Sequence, residues 1–229
     1  MLALVLLTAV NLGAYLRGRA EAPAAPASGA VAAPATPLES PTVAFLGDAT
    51  TAGQGASSPA SRWTTLLSTE EGWVEANHGV PGTGYAAAGS FPDQRAYTGR
   101  VADVVAGAPD AVVVSGGRSD ELTGNDYADS VGQVFVALRQ GLPEARLVAT
   151  SPLWDDDAPP EELDALGWVV RSQVENVGGS YLDLGQPLQG DPELVGADGV
   201  QPDDAGHAAI AAAVEEALAG AGLLPLTAP

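Results

Sequence analysis

From Thr42 onward the chain alternates short apolar runs with longer segments of mixed polarity. The runs Val43–Leu46, Trp73–Ala76, Ala111–Ser115, Arg146–Thr150 and Ser180–Leu182 are short and mostly Val-rich, the pattern of strands covered on both faces. Between them, helical patterning predicts helices over about Arg62–Thr69, Asp93–Ala106, Tyr127–Gln140, Glu161–Val177 and Asp204–Ala219. Gly107-Ala108-Pro109 and Gly141-Leu142-Pro143 are helix stops. Strand–helix alternation predicts an α/β domain with a parallel sheet and helices on both sides. In such sheets the sites lie beyond the carboxyl ends of the strands, so the loops after each strand are where chemistry is expected.

The first 41 residues follow other rules. Residues 1–19 contain an apolar stretch, Leu2 to Leu16, interrupted by Thr8 and Asn11 and followed by Arg17 and Arg19. It is shorter than the roughly 20 apolar residues of a full span. It resembles the hydrophobic part of a signal peptide or a short anchor, without the usual preceding basic residues. Residues 20–41 are almost all Ala, Pro, Ser, Gly and Thr, a composition that cannot bury a core and reads as an extended tether. The expectation is an extracytoplasmic domain, residues 42–229, secreted or held off a membrane through residues 2–16.

Composition narrows the partners. The chain has 229 residues, enough for one ordinary domain plus such a segment. Its 29 acidic and 9 basic residues give a formal net charge of -20. That field repels phosphate backbones, so nucleic acid is not an expected partner. There is no cysteine, which excludes disulfides, thiolate-ligated zinc and a thiol nucleophile.

Four loops carry candidate chemistry: Gly47-Asp48-Ala49-Thr50, Asn77 to Tyr85 with Gly82 and Gly84, Gly116 to Glu121, and Asp203-Asp204-Ala205-Gly206-His207. Each alone has a structural reading. Gly-Asp after a strand is a turn, the glycines permit unusual backbone angles, Asp204 suits the N-cap of the following helix, and a lone histidine is ordinarily a hydrogen-bonded one. Asp155-Asp156-Asp157 reads as a solvated acidic loop rather than a cation site. Trp63, Trp73, Trp154 and Trp168 default to core packing, with Trp154 placed to wall a pocket. His78 reads as a loop histidine.

Taken together, in this order and at these strand ends, the four loops resemble the blocks of the SGNH (GDSL) hydrolase family from Thr42 to about Leu223. The Gly-Asp-Ser block stands as Gly47-Asp48-Ala49, the second-block glycine as Gly82, the Gly-x-Asn-Asp block as Gly117-Arg118-Ser119-Asp120, and the Asp-x-x-His block as Asp204-Ala205-Gly206-His207. The resemblance implies a flavodoxin-like three-layer sandwich of about five parallel strands. It also implies ester hydrolysis or acyl transfer on acylated sugars, lipids or small esters, with neither metal nor cofactor.

Acyl transfer needs a nucleophile, a base and donors for the developing oxyanion. By resemblance, position 49 holds the nucleophile, His207 the base and Asp204 its orienter. The oxyanion donors would be the N–H groups of Ala49 and Gly82 and the side chain of Ser119. Alanine at 49 keeps the N–H and deletes the attacking oxygen, and Ser119 replaces an amide by a shorter hydroxyl. The sequence therefore predicts a catalytically impaired domain of this fold that binds an acylated or glycan ligand or a partner. The alternative is an active esterase or acyltransferase that uses an atypical nucleophile such as Thr50 or Thr51, or natively carries Ser at 49.

Overall fold

The computed structural model describes residues 40–123 and 126–226. The apolar segment Leu2–Leu16 lies outside the described residues, as does all of the tether except Ser40 and Pro41. The five expected strands form one parallel sheet: β1 (Thr42–Gly47), β2 (Val74–Gly79), β3 (Ala111–Ser115), β4 (Arg146–Thr150) and β5 (Ser180–Leu182). Their order is β2-β1-β3-β4-β5. This is the flavodoxin-like arrangement, with its topological switch point between β1 and β3. β2 runs on through Asn77-His78-Gly79, so the loop after it begins at Val80.

The strand side chains alternate between two cores. Ala44, Leu46, Val112, Val114, Leu147 and Ala149 face one way; Val43, Phe45, Ala111, Val113 and Val148 face the other. The first set packs under α3 (Val101–Ala106), α5 (Ala128–Gly141) and α6 (Glu162–Asn176), through Val104, Phe135, Leu138, Leu166 and Val170. The second packs under α2 (Trp63–Glu71) and α7 (Asp204–Gly220), through Trp63, Leu67, Ile210, Val214 and Leu218. Two opposed cores on one sheet make a three-layer sandwich, and they explain why the central strands β1, β3 and β4 are apolar at nearly every position, whereas the edge strand β2 carries Glu75, Asn77 and His78.

Several expectations change. The helix expected over Asp93–Ala106 is only α3, preceded by a 3-10 turn at Tyr97–Gly99. The residues before it are held as a loop by Gln94. Its Oε1 accepts the Phe91 N–H at 3.0 Å and its Nε2 donates to the Pro81 carbonyl at 3.2 Å. Two short helices occupy stretches read as loops: α1 (Ala49–Ala52) and α4 (Arg118–Thr123). Trp63 and Trp73 are core residues, whereas Trp168 is 70% exposed. Among the described residues, no helix is long and apolar enough to cross a membrane.

Candidate functional site

The switch point brings the end of β1 beside the end of β3. Gly47 and Ser115 are paired across the sheet, and the chain turns at Asp48 into α1 and at Gly116 toward α4. Asp48 caps α1, its Oδ1 accepting the Thr50 N–H at 3.1 Å. Gly116 has φ +130, and a Cβ there would overlap the Tyr97 hydroxyl and sit 2.7 Å from the Asp48 carboxylate. The glycine lets a buried carboxyl and a buried phenol close against the backbone. Tyr97 in turn donates to the Ser115 carbonyl at 3.2 Å.

Burial pushes the Asp48 carboxyl up to about 6, against the opposing pull of the Thr50 and Thr51 N–H groups and the Arg118 charge. Because the folded-state value lies above the unfolded one, the folded state binds this proton more tightly. Stability contributed by protonation is present below pH 4 and lost as pH rises toward 6. At pH 7 the buried charge costs about 3 kcal/mol, taking roughly 1.4 kcal/mol per unit. Asp48→Asn is therefore expected to raise the melting temperature at pH 7 and to flatten its dependence between pH 4 and 6. Thermal unfolding across that range checks both.

Two charged side chains that sequence reading left without a role build the surrounding loops. Asp120 is fully buried and accepts three backbone N–H groups, from Tyr85 at 2.6 Å and from Ala86 and Ala87 at 2.8 Å. It pins the loop after β2 to α4. A Cβ at Gly84 would overlap this carboxylate, which is why that position is glycine. Arg100, 4% exposed, donates to the carbonyls of Gly47 and His78 and to the Thr83 hydroxyl, tying the ends of β1 and β2 together. The signal for Asp120 was its fixed place in the third block. Arg100 had none, since its partners are far away in sequence.

The cleft above these residues is walled by Asp48, Thr50, Gly116, Arg118, Trp154 and Pro202. Trp154 thus walls the site as expected. Arg118 lies over its indole, 4.2 Å from the ring centroid, and pairs with Asp155 at 2.5 Å. Asp155 is buried rather than part of a solvated acidic loop. The enclosed space is about 10 Å³, room for about one water molecule.

Position 49 lies at the first turn of α1, with its N–H at the helix start. Among the described residues, the N–H groups of Ala49 and Gly82 donate no hydrogen bond. Gly82 is exposed with φ +74, a conformation that favours glycine. Ser119 is half-buried on α4. Thr51 is buried, with its hydroxyl 3.5 Å from the Ser115 carbonyl.

The expected Asp204–His207 hydrogen bond is replaced by other pairings. Asp204 accepts from the Ser57 N–H at 2.7 Å and the Ser57 hydroxyl at 2.6 Å, and these hold its carboxyl below the usual range. The N-cap of α7 is Asp203, which accepts from Ala205 and Gly206. His207 is fully buried. Its Nε2 lies 3.1 Å from the Gln54 carbonyl, an acceptor only, so Nε2 carries the proton. Its Nδ1 accepts the Trp63 N–H at 3.4 Å. Burial lowers its proton affinity below that of an ordinary histidine, against the opposing pull of the Gln54 carbonyl, Asp204 and Asp203. Both nitrogens are committed to backbone.

The segment that does border the cleft is the turn before α7. Val200 and Pro202 line the cavity, and Gln201 lies between them. Asp198 accepts the N–H groups of Val200 and Gln201, both at 3.0 Å. Asp198-Gly199-Val200-Gln201 repeats the Asp-x-x-X spacing with glutamine at the end. That spacing was the available signal, obscured because Asp204-Ala205-Gly206-His207 fits the block with its histidine intact.

Known proteins bear on the same frame. A solved salicylyl-acyltransferase from a tetracycline biosynthetic pathway superposes with a TM-score of 0.62 at 20% identity, over 83% of this chain and 58% of that one. Est24, a carbohydrate acetylesterase from Sinorhizobium meliloti, gives a TM-score of 0.60 at 16% identity, over 79% of this chain and 99% of that one. At these identities the likeness is one of fold. A GDSL lipase of Mycobacterium tuberculosis is 32% identical over 105 residues, 42% of this chain and 44% of the lipase, so the similarity spans less than half of that relative. The model of the GDSL-like lipase/acylhydrolase family matches residues 45–209, from within β1 into the last helix, and the chain belongs to that family.

Proposed function

We propose that this domain has lost covalent ester hydrolysis and acts by binding an acylated or glycan ligand or a partner protein, outside the cell membrane and tethered through its N-terminal segment. The observation that carries the first part is the side chain at position 49: alanine, at the switch-point turn where the family's chemistry needs a hydroxyl. Three further features support it. Ser119 stands where a third oxyanion donor would be an amide. His207 spends both ring nitrogens on backbone groups. The cleft walled by Arg118, stacked on Trp154 and paired with Asp155, encloses only about 10 Å³, too little for an acyl group. Removing the nucleophile from a serine hydrolase leaves only about 10³–10⁴ over the uncatalysed rate. The tether rests on the apolar run Leu2–Leu16 followed by Ala/Pro-rich sequence.

One observation favours the alternative of an atypical nucleophile: Thr50 lines the cleft beside Asp48. A fluorophosphonate probe separates the readings, because it captures an activated hydroxyl covalently. Intact-mass measurement after exposure at pH 7.5 is expected to show unmodified protein. A stoichiometric adduct mapped to Thr50 or Thr51 would establish a displaced nucleophile and end the binding-only reading.

A further inference from the structure

A second concavity lies on the far side of the segment that walls the cleft. Ser151 and Pro152 line it, whereas the next two residues, Leu153 and Trp154, line the cleft. Its volume is about 310 Å³, at the lower end of small-ligand pockets. Trp168 stands at its edge on α6, 70% exposed, although an indole on a core-facing helix is ordinarily buried. Asp164, one turn earlier, and Arg171, nearly one turn later, share that side of the helix.

Tyr181, at the middle of β5, is the second aromatic wall. The Arg171 guanidinium lies 5.8 Å from its ring centroid. Gly167 makes the approach of helix and strand feasible: a Cβ there would sit 3.1 Å from the Tyr181 hydroxyl and 3.4 Å from Pro152. Burial, with a contribution from Asp183, pushes the Tyr181 phenol up to about 12, so it is a protonated donor at neutral pH. Gln186 braces the wall, donating to the Pro152 carbonyl at 3.0 Å and accepting the Trp154 N–H at 2.8 Å.

We propose that this groove binds a neutral saccharide, with the pyranose C–H face stacked on Trp168 and the hydroxyls shared among Asp164, Asp183, Arg171 and Tyr181. The lining chemistry selects this class over others. An acyl chain would strip water from two carboxylates without pairing them, while Arg171, already paired with Glu175 at 3.1 Å, would keep its remaining N–H groups unmet. A polyanion meets Asp164 and Asp183 within a chain of net charge -20. A quaternary cation would find the carboxylates but also Arg171. A polyol supplies donors to the carboxylates, acceptors to the guanidinium and an apolar face to the indole. This site goes beyond the proposed loss of catalysis and does not rest on it, since neither Ala49 nor the cleft contributes a contact.

The test titrates the full chain with cellohexaose and maltohexaose, following tryptophan fluorescence and calorimetric heat. Tetramethylammonium, decanoate and a sulfated hexasaccharide serve as comparison ligands. Saturable binding of at least one neutral hexasaccharide is expected, with Kd of about 1 mM or tighter. Trp168→Ala is expected to weaken it by about tenfold or more. Phe91→Ala, which removes an aromatic 67% exposed elsewhere, should leave it unchanged. Both substitutions are at exposed positions, and unchanged thermal unfolding would show that each variant folds. The proposal is overturned if neither hexasaccharide binds, if only a comparison ligand binds, or if binding survives Trp168→Ala intact.

Discussion

Ala49→Ser alone is expected to leave ester hydrolysis at the level of the unmodified chain, whereas Ala49→Ser with Ser119→Asn and Gln201→His raises it by at least about 10²-fold. The reason is geometric. A serine at 49 gains its nucleophilicity from a base within about 3.2 Å. His207 presents its N–H to the Gln54 carbonyl and its lone pair to the Trp63 N–H, so it has no free nitrogen to offer. The turn from Asp198 to Gln201 does border the cleft, through Val200 and Pro202. A histidine at 201 would place an imidazole in that turn, with Asp198 three residues before it. An asparagine at 119 restores an amide donor for the oxyanion. The measurement is kcat/KM on a short-chain aryl ester for each variant. Should Ala49→Ser with Ser119→Asn suffice, and His207→Gln then abolish the gain in a folded protein, His207 is the base and the placement at Gln201 is wrong.

The second large effect falls on stability. Asp120→Ala is expected to destabilise the domain by about 4 kcal/mol, since three buried N–H groups lose their acceptor at roughly 1–3 kcal/mol each and the loop relaxes only in part. At about 2–4 °C per kcal/mol for a domain of this size, the melting temperature falls by about 10 °C. Asp120→Asn keeps one acceptor oxygen and sheds a charge whose burial already raises its pKa, so it should cost about half as much. Because Tyr85, Ala86 and Ala87 follow directly on Gly84 in the loop after β2, limited proteolysis of Asp120→Ala should cut in this loop first. Equal losses for the two variants would mean that charge rather than the number of accepted N–H groups matters at this position.

What the sequence revealed, and what it hid, follows from the range of the interactions involved. The strands were legible because each carries its own signal: an apolar run such as Ala111–Ser115 must be covered on both faces whatever surrounds it. The order of blocks was legible for the same reason, since each turn follows its own strand. Long-range choices were not. Asp203 and Asp204 are both good N-caps, and the choice between them is tied to Ser57, 147 residues from Asp204. Helical patterning across Asp93–Ala106 could not reveal that Gln94 holds its first part to Pro81 as a loop. Trp168 sits on a helix whose neighbours are core residues, and only the fold shows its indole turned outward. The histidine at 207 matched a spacing, yet its partners are two backbone groups far away in sequence, the Gln54 carbonyl after α1 and the Trp63 N–H at the start of α2.

The most direct test of the central claim is hydrolysis of p-nitrophenyl acetate by the unmodified chain, with substrate varied to saturation. With covalent catalysis lost, the expected rate is linear in substrate, without saturation and unaltered by Trp154→Ala. Saturable turnover in the ordinary enzymatic range of about 1–10³ per second would contradict it.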